Sequence, residues 1–156
     1  MGSEFKINQI IMKMKGIILN SEQVNTILDK GVLEYRKAIK VQPNNDKQLL
    51  STSSDGEYVF MNFKHPYAYS EYFKNPIGYK GDMLFVKEDI WNNDGDWEYS
   101  ADDTLVTKGM QEYCSHGHLP PYRMKQHQSR LTLEITDIKV EKADVWEWVV
   151  NLKLIK

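Results

Sequence analysis

The sequence contains a single cysteine, Cys114, so no disulfide bond can form within the chain. Such a composition is typical of proteins in a reducing compartment, and we expect a cytoplasmic location. No apolar run approaches the length of about 18 to 20 residues that a membrane-spanning helix needs. The opening stretch "MGSEFKINQIIMKMK" lacks the long apolar region of a secretory signal. We expect residues 1–13 to be a leader or a vector-derived tag outside the domain.

An excess of positive charge is also missing, because the formal net charge is −2. Domains that coat nucleic acid through bulk charge are usually strongly basic, so this chain does not belong to that class. Any nucleic-acid site must therefore be a local patch of cations. No repeat or linker divides the chain, and residues 14–156 are predicted to form one domain.

Aromatic side chains, by contrast, are plentiful. They make up 12% of the residues, with four Trp and nine Tyr, in a chain that is 41% hydrophobic and 27% charged. This abundance suits a packed β core, and it equally suits a surface on which bases or other rings stack.

The clearest helix signal lies near the amino end. Asn20 or Ser21 can cap a helix, and Gln23 stands three residues after Asn20, where it can bond back to the cap. Apolar residues follow at helical spacing, and Gly31 is suited to end the helix. The apolar run "GIIL" before the cap predicts a first strand, so the chain begins as strand and then helix.

The second half of the chain reads mainly as strands. "DMLFVKEDIW" and "WEYSAD" flank an Asp94-Gly95 hairpin turn, and a short helix is predicted around Thr107 to Tyr113. "SRLTLEITDIKVEK" alternates in polarity with a bulge expected near Asp137, and "VWEWVVNLKLI" is the closing strand. Five or six antiparallel strands and one substantial helix predict an α+β protein built on a small, closed, mostly antiparallel β-barrel.

Several segments occur in an order that is known from one protein family. They read "MKGIILNSEQVNTILD", "RKAIKVQP", "YKGDMLFVKEDIW", "WEYSAD", "SRLTLEITDIKVEK" and "VWEWVV". Together they resemble the corresponding segments of phage- and prophage-encoded ASCH-domain proteins, over about residues 14–156. The resemblance implies a PUA-like β-barrel with a helix after its first strand, and binding of RNA or a nucleotide-like ligand.

Two departures from the family bear on catalysis. The lysine that hydrolytic ASCH members use as a catalytic residue aligns with Val32, and a family threonine aligns with Tyr35. The histidine of the family's His-Met-Pro motif aligns with Arg123. The resemblance therefore implies a module that binds without catalysing, unless Lys30 or Lys87 takes the place of the lost lysine.

The basic segment of residues 30–40 is the first candidate site. It is either a solvated helix exit, where cations favour the negative end of the helix dipole, or a loop that contacts phosphates. The resemblance aligns Arg36, Lys37 and Lys40 with basic positions of the family, which favours phosphate binding. We place the predicted cleft between the first helix, this segment and the aromatic loop before Gly81.

Other candidates come from the second half of the chain. A buried Glu88 would need a cationic or hydrogen-bonding partner; it either organises the cleft or, with Lys87, serves as an acid/base pair if the protein is an enzyme. The predicted ligand-binding residues are Tyr35, Arg36, Lys37, Lys40, Lys87, Glu88, Trp91, Arg123 and Arg130.

Metal sites are not predicted. Cys114, His116 and His118 are zinc-competent ligands, but a closed tetrahedral site needs a fourth, and the sequence offers no matching pair. The acidic stretch "NNDGDWEYSADD" departs from the calcium-loop pattern at its glycine position, where Trp97 stands. We expect neither a metal nor another cofactor.

The sequence thus predicts a non-catalytic module of phage or prophage origin that binds RNA or a nucleotide-like ligand. Two alternatives stay open: a hydrolase of a modified nucleoside or an RNA phosphodiester, and an interaction factor that modulates a host protein.

Overall fold

The computed structural model describes residues 14–43, 48–52, 57–62, 68–113 and 117–155. These residues form an α+β protein with helices α1 (Ser21–Lys30) and α2 (Leu105–Tyr113). The strands are β1 (Lys15–Ile18), β2 (Val32–Ala38), β3 (Leu49–Thr52), β4 (Tyr58–Asn62), β5 (Ala68–Tyr69), β6 (Met83–Lys87), β7 (Ile90–Asn93), β8 (Asp96–Tyr99), β9 (His118–Leu119), β10 (Thr132–Lys142) and β11 (Trp146–Leu154). The expected leader at residues 1–13 lies outside the described residues.

The strands are arranged in three sheets. The central sheet has the order β1-β6-β10-β11-β2, and two smaller sheets have the orders β3-β4-β5 and β8-β7-β9. Every pairing is antiparallel except that of β1 with β6. The α+β class and the mostly antiparallel pairing are confirmed, while the predicted five or six strands were too few. Within the described ranges the sheets do not close into a barrel, since β1 and β2 are free edges of the central sheet.

Helix α1 forms as its sequence predicts. The Asn20 side chain accepts a hydrogen bond from the Gln23 backbone at 2.8 Å, and the Gln23 side chain accepts one from the Asn20 backbone at 3.0 Å. Gly31 ends the helix with φ of 75°, and its N–H donates to the Ile27 carbonyl at 2.8 Å. Glycine has no Cβ and therefore adopts this left-handed conformation without strain. Val24 and Ile27 lie fully buried against the core.

The segment after Gly31 differs from the prediction, because it is a strand and not a loop. β2 pairs antiparallel with β11 over its whole length, from Val32 opposite Lys153 to Ala38 opposite Glu147. Leu33 and Tyr35 are half-buried against the core, and Glu34 between them is exposed. β2 is an edge strand, and its charged side chains are typical of edges that resist pairing with other chains.

The long hairpin of β10 and β11 carries much of the core. A register shift between Ile135 and Asp137 confirms the predicted bulge. Leu133 and Ile135 on β10 are completely buried, as is Val150 on β11. Because β11 pairs with β10 on one side and β2 on the other, it is shielded along both edges.

Two further local predictions are confirmed. β7 and β8 form a hairpin whose turn residues Asp94 and Gly95 have φ of 51° and 94°, as a type I′ turn requires. A helix covers the predicted stretch around Thr107, although it begins two residues earlier, at Leu105. Neither α1 nor α2 has the length and apolar character of a membrane span, and the described residues contain no other candidate.

Candidate functional site

A concave surface lies where the end of β2 meets the segment after β5. Its volume is about 390 Å³. We call it the lysine groove, and it is lined by Lys37, Ala38, Ile39, Lys40, Val41, Phe73, Lys74, Pro76 and Trp148. Two of the three elements around the predicted cleft, the basic segment and the aromatic loop, contribute lining residues, whereas helix α1 contributes none.

Cations dominate the charge of the lysine groove. Lys37, Lys40 and Lys74 line it, and no carboxylate is among the lining residues. Lys74 lies 3.6 Å from Glu57, an exposed ion pair of little strength. Lys37 and Lys40 form no ion pair with any described residue. Ammonium groups on long flexible stems are well suited to meet an anion in such a groove.

The floor of the groove is a packed aromatic cluster. Trp148 is only 2% exposed. Its ring meets the Tyr58 ring edge-on at 5.1 Å and the Phe73 ring at 5.9 Å, measured between centroids. Tyr58 and Phe73 also stack on each other at 5.9 Å. These contacts hold β11 and the segment at residue 73 together, so the two walls of the groove have a fixed spacing.

Arg36 lies outside the groove, among carboxylates. Its guanidinium is 3.2 Å from Glu34, 2.9 Å from Glu141 and 3.6 Å from Glu147. Hydrogen bonds from Lys139 and Arg36 lower the pKa of Glu141. With its charge matched by these neighbours, Arg36 does not fit the predicted role in phosphate contact.

A second polar cluster, which we call the Arg130 cluster, lies at the end of β6. Arg130 donates from Nε and Nη2 to the two carboxylate oxygens of Glu88, at 3.0 Å each. Its Nη1 lies 2.9 Å from Asp102 Oδ1, and the guanidinium sits 4.1 Å from the centre of the Tyr99 ring. Bidentate pairing and stacking are the geometry that arginine favours. The Arg130 guanidinium is therefore occupied by Glu88, Asp102 and Tyr99 and is not free to bind a phosphate.

Glu88 is the buried member of this cluster, with a side chain 2% exposed. Burial raises the pKa of Glu88, and the hydrogen bonds and charge of Arg130 counteract part of that rise. The arrangement fits the structural alternative for Glu88. Lys87 approaches the Phe85 ring, 5.9 Å from its centroid, and makes no ion pair with Glu88 or with any other described residue. An acid/base pair of Lys87 with Glu88 therefore has no support in the geometry.

The sequence did not predict a third cluster, around Asp89. Trp91 Nε1 donates to Ser100 Oγ at 3.1 Å, and Ser100 Oγ donates to Asp89 Oδ2 at 2.5 Å. The other carboxylate oxygen of Asp89 bonds to His118 Nε2, and the His118 and Trp91 rings pack with centroids 4.5 Å apart. Trp91 was predicted to bind ligand, but it is only 7% exposed, so its ring has no free face on which a ligand could stack.

Of the three residues that the sequence offered as zinc ligands, the structure describes only His118. His118 is bonded to Asp89 as described, whereas Cys114 and His116 lie outside the described residues. In the part of the chain that the structure describes, no three His, Cys, Asp or Glu side chains are grouped closely enough to hold a metal ion.

The predicted site residues are thus only partly brought together. Lys37 and Lys40 share the lysine groove, whereas Tyr35 is half-buried against the core and Arg123 is exposed in a 3₁₀ turn away from the groove. Lys74 was missed. Its only signal was its place beside an aromatic residue in "FKNP", and tertiary packing alone brings it to Lys37.

Comparison with family models, curated proteins and solved structures finds no match to this chain.

Proposed function

We propose that this protein is a non-catalytic module that binds single-stranded RNA or a nucleotide-like ligand through the lysine groove. The observation that carries the proposal is the set of three lysines, Lys37, Lys40 and Lys74, around one concavity whose lining contains no carboxylate. Anionic ligands are favoured there, and lysines commonly contact the phosphates of nucleic acids.

The size of the groove agrees with this ligand class. A volume of about 390 Å³ lies within the range of about 300–1,000 Å³ that is usual for small-ligand and cofactor sites. This space is large enough for a nucleotide or a short stretch of a single strand. The two aromatic side chains in the lining, Trp148 and Phe73, are buried and half-buried respectively, so binding there should depend more on phosphates than on base sequence.

The same proposal covers the family, origin and location of the protein. It has a PUA-like fold of the ASCH type, comes from a phage or prophage, and acts in the cytoplasm. The segments that resemble this family fall on β1, α1 and β2 at one end of the chain and on β6, β8, β10 and β11 at the other. Those elements include the whole central sheet. The family's catalytic lysine position is Val32, and Glu88 is held by Arg130, which supports a binding role without hydrolysis.

Salt dependence tests the proposal. Anisotropy of a labelled oligouridylate, titrated at several KCl concentrations, measures the slope of log affinity against log salt. Neutralising three phosphates on a single strand predicts a slope of about −2, and the double variant Lys37→Gln/Lys40→Gln should reduce it to about −0.7.

The matched control is Lys108→Gln/Lys125→Gln, which removes the same charge from exposed positions outside the groove. It should leave the slope at the wild-type value. Equal slopes for the two double variants would contradict the proposal, as would the absence of binding by the wild type at low salt.

A further inference from the structure

The side chain of Gln42 bonds to the backbone beside the lysine groove. Its Nε2 donates to the Ile39 carbonyl at 2.6 Å and to the Trp146 carbonyl at 3.0 Å, and its Oε1 accepts from the Trp146 N–H at 3.0 Å. Gln42 itself does not line the groove. Its amide therefore joins the chain after β2 to the first residue of β11, as a further backbone peptide unit would.

These bonds close a bend that positions Lys40. Side chains three residues apart on a straight strand point to opposite faces of a sheet, so a straight continuation of β2 would separate Lys40 from Lys37. Instead β2 ends at Ala38, the chain bends at Lys40 and Val41, and both lysines line the same groove. The bend, which the Gln42 amide closes, is therefore what brings Lys40 into the lysine groove.

The opposite wall of the groove is held in a different way. Phe73 and Tyr58 exchange two backbone hydrogen bonds of 2.8 Å, and their rings stack at 5.9 Å between centroids. Lys74 follows Phe73 directly, so backbone bonds fix the start of the Lys74 side chain. The bend at Lys40, by contrast, is closed by a side chain. A single substitution can therefore open it without changing a lysine or the opposite wall.

We propose that Gln42 is a positioning residue of the lysine groove, which holds Lys40 in place for a phosphate before the ligand arrives. It acts through Lys40 and does not touch the ligand. Ordering a flexible loop during association costs free energy, and a loop that is already ordered avoids that cost. The inference rests on the proposed function, because the ligand is the same single-stranded RNA or nucleotide-like ligand. One of the three phosphate contacts then depends on the Gln42 amide.

Replacing Gln42 with alanine tests the proposal through the salt dependence of oligouridylate binding. The wild type should give a slope of about −2, and Gln42→Ala should give about −1.4, because one of three phosphate contacts on a single strand is lost. Adding Lys40→Gln to Gln42→Ala should leave the slope at about −1.4, whereas adding Lys37→Gln should reduce it to about −0.7. A residue that only stabilises the fold would not separate Lys40 from Lys37 in this way.

Gln23→Ala is the matched control. The Gln23 side chain also accepts a hydrogen bond from a backbone N–H, that of Asn20, and Gln23 does not line the groove. The slope of Gln23→Ala should equal that of the wild type. An unchanged slope in Gln42→Ala would overturn the inference, as would a further loss when Lys40→Gln is added to it.

A measurement on the wild type keeps the inference testable even if Gln42→Ala does not fold. Backbone-amide relaxation NMR of the free protein should give order parameters of about 0.85 at Lys40 and Val41, the value of a rigid backbone. Values below about 0.6 would show that the bend is flexible before RNA binds, and the inference would then be wrong.

The two proposals fail separately. A wild-type slope near −2 that Gln42→Ala leaves unchanged would reject the positioning role of Gln42 and keep the lysine groove as the binding site. Absence of RNA binding by the wild type would reject the proposed function. A bend that is rigid in the wild type and flexible in Gln42→Ala would even then support Gln42 as the residue that positions Lys40.

Discussion

Replacing Trp148 with alanine should lower the free energy of unfolding by about 3–5 kcal/mol, the usual cost of truncating a buried aromatic side chain. Trp148 is 2% exposed and packs against Tyr58 and Phe73, so its removal leaves a cavity that rigid neighbours cannot fill. Trp148 also lies opposite Val140 on β10 and Lys37 on β2, so removing its ring disturbs the packing on both sides of β11. Urea denaturation followed by far-ultraviolet circular dichroism measures the change.

Trp146→Ala is the matched comparison on the same strand. Trp146 is partly exposed, and its ring packs on Phe60 at 5.3 Å between centroids. We expect it to cost clearly less than Trp148→Ala, because less of its surface leaves water on folding. A cost below about 1 kcal/mol for Trp148→Ala would show that this ring does not lie in the core.

Replacing Arg130 with methionine should cost about 3–5 kcal/mol, because it leaves a buried carboxylate without its cationic partner. Glu88 is 2% exposed and receives two hydrogen bonds from Arg130. Methionine retains much of the apolar stem of arginine, so lost packing contributes little. The double variant Glu88→Gln/Arg130→Met removes the stranded charge and should recover a large part of the stability.

The pH dependence of the same variant provides a second measurement. Burial raises the pKa of Glu88, and Arg130 opposes that rise, so the pKa should rise further in Arg130→Met. A carboxyl with a raised pKa binds its proton more tightly in the folded state. Its contribution to stability is therefore present below the ordinary carboxyl pKa and is lost as the pH rises through the raised value. An Arg130→Met deficit of the same size at about pH 4 and pH 7 would contradict the account.

The elements that the sequence predicted well are those with local signals. Helix α1 is specified by Asn20, Gln23 and Gly31 within one short stretch, and the β7–β8 turn by the adjacent residues Asp94 and Gly95. The strand β2 was missed because what makes it a strand is its pairing with β11, which is more than a hundred residues away in the chain. Its sequence, "VLEYRKA", does not alternate strictly between apolar and polar residues.

In the candidate site, too, features with a local sequence signal were predicted and features that depend on distant contacts were not. Lys37 and Lys40 could be predicted from a cluster of positive charge in the sequence. The full pairing of Arg36 and Arg130 could not be predicted. Glu34 is a near neighbour of Arg36 in the sequence, but Glu141, which also pairs with Arg36, and Glu88, which pairs with Arg130, are distant. Charge density along a chain indicates where cations are, and only the tertiary structure shows which of them are already paired.

Mapping the contact surface tests the central claim most directly. Backbone-amide NMR spectra of the labelled protein, recorded during titration with an unlabelled oligouridylate, locate the RNA residue by residue. We expect the largest shifts at residues 37–41 and 73–75, in the two walls of the lysine groove. Shifts centred instead on Trp91 and His118, or on the Arg130 cluster, with residues 37–41 unchanged, would contradict the account.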